Sequence, residues 1–124
     1  MGFSVEVDVT QAINKLLKVN KNINKLLNPT LIKSGLIVEK EVKNSIAGNR
    51  KEKKSVDTGR FLNSVSTSRP SSGSISISSN VKYAKFLEFG TSRIKPRRHF
   101  GNSKNRKQSK IKDLFDKEVR KAVR

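Results

Sequence analysis

The most informative segment of this chain is Tyr83-Ala84-Lys85-Phe86-Leu87-Glu88-Phe89-Gly90-Thr91. Tyr83, Phe86 and Leu87 recur at helical spacing, so they predict a short helix with one shared apolar face. Gly90 is expected to end this helix, because glycine readily adopts the backbone conformation that terminates helices.

Within this stretch, Glu88 is a carboxylate flanked by apolar side chains. A buried carboxylate needs a partner, and Arg60 is the candidate, either within the chain or across a subunit interface. The alternative is that Glu88 points to solvent, as most glutamates do.

Two further segments accompany this stretch. Val56–Val65 (VDTGRFLNSV) precedes it, and Pro96–Phe100 (PRRHF) follows it. In this order and spacing the three segments resemble the tail-completion family of long-tailed bacteriophages, also called neck or head–tail joining proteins. That family's pattern reads D-T-G-x-L-x-x-S-[IV], then Y-A-x-x-[VL]-E-F-G-T, then a Pro/Arg-rich segment ending in Phe. The resemblance covers about residues 40–124, and family members often have Arg-Pro-Phe where this chain has Arg98-His99-Phe100.

The resemblance implies a structural protein of the virion neck, made in the host cytoplasm. Family members form rings, generally six-fold, around the channel through which DNA leaves, and they join the filled head to the tail. The implied partners are copies of the chain itself, neighbouring neck or connector proteins, tail-terminator or tail-tube proteins, and double-stranded DNA. The candidate interface residues are Asp57, Thr58, Gly59, Arg60, Tyr83, Glu88, Phe89, Gly90, Thr91, Arg97, Arg98 and Phe100.

The pattern along the chain predicts a single α+β domain over residues 1–124. A strand at Phe3–Val9 and a long helix occupy residues 1–47, and the helix is either interrupted or kinked at Pro29. Its expected apolar stripe includes Ile32 and Leu36. Residues 48–56 form a loop, whose charge run at 50–55 favours a solvated segment. A small antiparallel sheet and the short helix occupy residues 57–91.

The sheet is predicted from serines that alternate with Val65 and Thr67, and again with Ile75 and Ile77, around a turn at residues 70–73. Asp57 is expected to cap a short helix at residues 58–63. The alternative is a turn that leads into a strand, because Gly59 is a poor helix former. A basic loop and a C-terminal helix that begins near Ser103 or Ser109 complete residues 92–124.

The composition favours burial against partner subunits. Only 33% of the 124 residues are hydrophobic, which leaves a small core for a globular domain. No window approaches the 18 apolar residues of a membrane span, so no membrane partner is expected.

The net charge of +18 indicates a polyanionic or acidic partner, and residues 93–124 alone carry +10. Contacts to DNA would be made to phosphates, because no base-reading motif is present. The alternative function is a basic, sequence-nonspecific nucleic-acid-binding module without a virion role. The candidate cations that face DNA or an acidic partner are Arg93, Lys95, Lys104, Arg106, Lys107 and Lys110.

No catalytic, metal or cofactor site is predicted from the sequence. His99 is the single histidine, and a loop contact is its expected role. The Asp57-Thr58-Gly59 triplet has the letters of an aspartic protease, but that chemistry needs two carboxylates and the chain has one such triplet.

Overall fold

The computed structural model describes residues 2–11, 23–56, 59–70 and 73–122. The predicted α+β fold is confirmed: an antiparallel sheet lies with one long helix before it and another after it. In chain order the elements are β1 (Phe3–Asp8), α1 (Ile23–Ile46), α2 (Arg60–Ser64), β2 (Ser66–Thr67), β3 (Ser74–Ser79), α3 (Ala84–Phe89) and α4 (His99–Ala122).

The sheet has the strand order β1-β3-β2, and both pairings are antiparallel. Val5 lies opposite Ile77 and Val7 lies opposite Ile75. Ile75 and Ile77 are buried while the serines between them are partly exposed, as period-two alternation requires. The hairpin that the serine alternation predicts is therefore present.

The long helix α1 runs through Pro29 without ending there. Proline removes one helical hydrogen bond and costs about 3 kcal/mol in a helix interior. Leu27 and Leu31, on either side of Pro29, are nevertheless 2% and 1% exposed, so core packing holds both segments in one helix. The predicted helical positions before Ile23 lie outside the described residues. The predicted apolar stripe of this helix was partly wrong, because two of its members, Ile32 and Leu36, are exposed to solvent.

The two later helices differ from the prediction in detail. Helix α3 buries Ala84 and Glu88, whereas Tyr83 and Phe86 are exposed. Helix α4 begins at His99, not near Ser103 or Ser109. Its buried side chains include Phe100, Ile111 and Phe115, and Val119 packs against the same core. Among the described helices, none is both long and apolar enough to cross a membrane.

Helix α1 packs against both α4 and the sheet, and it approaches the strands closely at Gly35. A Cβ atom at this position would lie 2.7 Å from Thr67 Cγ2 and 3.0 Å from Ile75 Cδ1. A side chain at Gly35 would therefore push the helix away from β2 and β3.

We predict that Gly35→Val lowers the free energy of unfolding by about 2 kcal/mol through overpacking, measured by urea denaturation. Lys33→Val is the matched control, because it places the same β-branched residue on the exposed side of α1. Equal stability of the two variants would contradict the close approach.

Candidate functional site

The three motif segments meet at the start of α4. The ring of Phe100 is fully buried, and its centroid lies 5.4 Å from that of Phe3 and 6.4 Å from that of Phe61. Phe3 also makes an edge contact with Phe89, and Phe61 makes one with Tyr83. An aromatic cluster therefore joins β1, α2 and α3 to the first turn of α4.

Glu88 closes the first turn of α4. Its Oε1 accepts the Phe100 amide at 2.9 Å and its Oε2 accepts the Gly101 amide at 2.8 Å. The expectation of a partnered, buried carboxylate is confirmed, since Glu88 is 2% exposed. Both partners that the structure shows are backbone amides of α4, and the pairing of Glu88 with Arg60 stays a prediction. Burial raises the pKa of Glu88, while the two amides and the charge of Arg98 act in the opposite direction.

After α3 the chain makes a fixed turn at Gly90 and Thr91. Gly90 has φ 78° and ψ 174°, a conformation that is essentially restricted to glycine. A Cβ there would also lie 2.6 Å from the carbonyl oxygen of Ile94. Thr91 Oγ1 accepts the amides of Arg93 and Ile94 at 3.1 Å, and the Thr91 amide donates to the Ile94 carbonyl at 2.8 Å.

His99 connects two serines in the interior. Its Nδ1 lies 2.7 Å from Ser45 Oγ and its Nε2 lies 2.7 Å from Ser55 Oγ. Ser45 donates its one hydroxyl proton to Glu52, so it must accept from His99 Nδ1–H. Ser55 accepts from Arg97 Nη1 at 2.7 Å and can donate to Nε2. The contacts therefore select a neutral His99 with its proton on Nδ1.

The protonation state of His99 agrees with this hydrogen-bond order. Burial, together with the charges of Arg97 and Arg106 and against the opposing charge of Glu52, lowers the pKa of His99 to about 4. The expectation of a loop contact was wrong, because His99 is the first residue of α4 and is fully buried. Ser45 is also fully buried, so this Ser–His contact has no surface at which a substrate could bind.

Arg106 bridges two buried glutamates. Its Nε lies 2.7 Å from Glu41 Oε2 and its Nη2 lies 2.8 Å from Glu52 Oε1. Arg50 also bonds Glu41 through Nε at 2.7 Å. We call these four residues the Arg106 cluster. It ties α1 and the 50–55 loop to α4.

The Arg106 cluster also controls the charge of its glutamates. Burial raises the pKa of Glu52, but hydrogen bonds from Arg106, Ser45 and Asn102 outweigh it and hold the pKa at about 2. The hydrogen bond from Arg50 lowers the pKa of Glu41, against burial. The prediction that residues 50–55 form a solvated loop was therefore wrong at Glu52, which is 7% exposed.

The candidate interface residues divide into buried and exposed groups. Glu88 and Phe100 are interior residues, and Gly59 precedes α2 as its N-cap with φ 81°. Tyr83, the residue before α3, and Phe89, its last residue, are exposed, and Phe86, three positions from each, is exposed as well. We call Tyr83, Phe86 and Phe89 the aromatic row. Asp57 and Thr58 lie outside the described residues. Arg60, Thr91 and Arg98 are exposed, and Arg97 is partly exposed.

Phe86 was missed as an interface candidate, although its spacing of three residues from both Tyr83 and Phe89 was a visible signal. Tyr83, Phe86 and Leu87 were predicted to share one apolar face of this helix, and amphipathic helices usually bury such a face. In this chain the buried side of α3 is instead taken by Ala84 and the carboxylate of Glu88.

The candidate cations also divide into two groups. Arg106 is committed to Glu41 and Glu52, and Lys107 Nζ lies 3.8 Å from Glu41 Oε1. The exposed candidates are Arg93, Lys95, Lys104 and Lys110. Among the described side chains, no cluster of His, Cys, Asp and Glu could hold a metal ion.

The comparison with protein families gives a match over residues 10–90. The family is described as "Bacteriophage HK97-gp10, putative tail-component". The matched region contains α1, the hairpin, α3 and the glycine at position 90, and covers more than half of the chain. Comparisons with curated proteins and with solved structures give no match.

We predict that Glu88→Ala lowers the free energy of unfolding by about 3 kcal/mol, because two buried amides of α4 lose their acceptor. Thermal and urea denaturation measure the change. Lys85→Ala, an exposed substitution on the same helix, serves as the control and is expected to stay within about 0.5 kcal/mol of the unmodified chain. A Glu88→Ala variant as stable as Lys85→Ala would refute the capping role.

We predict that stability falls as the pH drops from about 6.5 to about 4. The pKa of His99 is about 4 in the folded chain and 6.5 as the ordinary value, so the unfolded chain takes up a proton that the folded chain does not. The loss attributable to His99 is about 2 kcal/mol across this window.

Urea denaturation at pH 7 and pH 4.5 measures this loss. His99→Asn removes the titrating ring, so its stability should depend less on pH than that of the unmodified chain. Two results would contradict the lowered pKa of His99. One is a stability that depends on pH equally in His99→Asn and in the unmodified chain, and the other is an NMR titration of His99 with an ordinary midpoint.

Proposed function

The chain belongs to the HK97 gp10-like family of bacteriophage tail components, and from this membership we propose that it forms a ring, six-fold, in the virion neck. The ring joins the DNA-filled head and its connector to the tail, and surrounds the channel through which DNA passes. The chain is made in the host cytoplasm and acts as a structural component, not as an enzyme. Its protein partners are copies of itself, connector proteins, and tail-terminator or tail-tube proteins.

The observation that carries the ring proposal is the aromatic row. Tyr83, Phe86 and Phe89 are 42%, 54% and 48% exposed. Large aromatic side chains on one surface are typical anchors of protein interfaces, where they dominate the binding energy.

The aromatic row is presented on a rigid support. Helix α3 is short, but Glu88 fixes it to α4 and the Gly90 turn fixes its C-terminal end. Side chains that are held in place lose little conformational freedom on binding, so a preorganised row supports tight subunit contacts.

Charge supports the proposed passage of DNA. Residues 93–124 carry a net charge of +10, and Arg93, Lys95, Lys104 and Lys110 project from an exposed surface. Cations of this kind contact phosphates without regard to sequence. The same side chains could instead contact an acidic surface on a neighbouring ring.

The second candidate function is a sequence-nonspecific nucleic-acid-binding module, which the net charge of +18 favours. The two functions differ in assembly. A neck protein enters a closed ring with its partners, whereas a nucleic-acid module can act as a monomer.

We predict that Phe86→Ser reduces ring assembly at least about tenfold without changing the melting temperature, because it removes an interface anchor and no core contact. Native mass spectrometry and electron microscopy of the chain, expressed with the neck and tail proteins of its phage, measure assembly. The isolated chain is not a sufficient test, because some rings form only on their template.

Leu36→Ser is the matched control, since Leu36 is an apolar residue of similar exposure (52%) on α1. Rings that form normally with Phe86→Ser but not with Leu36→Ser would place the interface on α1 and not on the aromatic row. A chain that never enters a ring with its partners would exclude the neck function.

A further inference from the structure

We propose that a cleft between the 50–55 loop and the 91–98 loop binds phosphodiester groups of the DNA backbone. The cleft has a volume of about 470 Å³, and five cations line it: Lys51, Lys53, Arg93, Lys95 and Arg97. We call it the basic cleft. The inference rests on the proposed passage of DNA past this protein, and it assigns the phosphate contacts to one place on the surface.

The positive charge of the basic cleft is not neutralised within the described chain. No ion pair among the described residues includes Lys51, Lys53, Arg93 or Lys95. Glu52 also lines the cleft, but its carboxylate is bonded to Arg106. Cations that share a concave surface concentrate their field there, so this cleft attracts anions more strongly than scattered surface lysines do.

The two walls of the basic cleft are fixed to one another. Arg97 lies in one wall, and its Nη1 donates to the Lys54 carbonyl at 3.2 Å and to Ser55 Oγ at 2.7 Å in the other. The Thr91 turn holds the backbone that carries Arg93. Glu52 anchors the 50–55 loop to α4 through Arg106. The cleft is therefore formed before any ligand binds.

The charge density of DNA suits the cations of this cleft. Three of the four unpaired cations are lysines, which bind phosphates as compact point charges. The guanidinium of Arg97 is already committed to the opposite wall. DNA supplies one negative charge per about 1.7 Å of its axis, a density that can serve several lysines at once.

The experiment compares two full-length variants that each lose four positive charges. The cleft variant carries Lys51→Gln, Lys53→Gln, Arg93→Gln and Lys95→Gln. The control variant carries substitutions by Gln at four exposed positions outside both the basic cleft and residues 93–124: Lys33, Lys40, Lys82 and Lys85. Fluorescence anisotropy with a short random-sequence DNA duplex measures affinity over a range of salt concentrations.

We expect the cleft variant to bind the duplex at least about tenfold more weakly at physiological salt, and the control variant to lose less than about threefold. The slope of log affinity against log salt should flatten in the cleft variant by about 0.9 for each phosphate that the variant no longer neutralises. If the cleft variant melts at a lower temperature, the double variant Arg93→Gln, Lys95→Gln replaces it, because both side chains are exposed and make no described ion pair.

Two results would overturn the proposal. Equal weakening of both variants would show that only the total charge matters. A polyglutamate peptide that binds the unmodified chain as tightly as DNA does, and loses more affinity than DNA in the cleft variant, would assign the cleft to an acidic protein surface.

The same variants separate this inference from the ring proposal. Electron microscopy of the cleft variant with its neck partners reports assembly independently of DNA affinity. Rings that form normally while duplex binding is lost would support the cleft with the ring function intact. Cleft-dependent DNA binding by a chain that never forms rings would keep the cleft and exclude the neck function.

Discussion

The position of α4 depends on the carboxylate of Glu88, which accepts hydrogen bonds from two backbone amides. The first turn of a helix leaves amides without helical partners, and here Glu88 supplies acceptors to the amides of Phe100 and Gly101 from another helix. This contact fixes α3 against α4. It thereby sets both the direction of the aromatic row and the start of the loop that forms one wall of the basic cleft.

The start of α4 is held by polar contacts as well as by the aromatic cluster. His99 bonds Ser45 of α1, and Arg106 bonds Glu41 of α1 and Glu52 of the neighbouring loop. Within the described part of the chain, every buried side-chain nitrogen and oxygen has a hydrogen-bond partner. Because a buried polar group without a partner is costly, these specific contacts favour one arrangement of the helices.

The sequence predicted the elements whose signals are local. The alternating serines and isoleucines identified the hairpin, because a period of two is visible over a few residues. The start of α4 was predicted several residues too far along the chain, because Gly101 and Asn102 are poor helix formers. The group that caps this first turn is Glu88, which lies on another helix. Glu52 was misplaced for the same reason, since its partners Asn102 and Arg106 lie about fifty positions away in the sequence.

The histidine at position 99 shows how one side chain can fix the start of α4. Position 99 is the first residue of a helix, where proline would cost no hydrogen bond and would preset the backbone angle. Histidine offers no such preset angle, but its ring bonds Ser45 and Ser55. The ring thereby joins α1 and the 50–55 loop to α4, so contacts between three parts of the fold take the place of a local constraint.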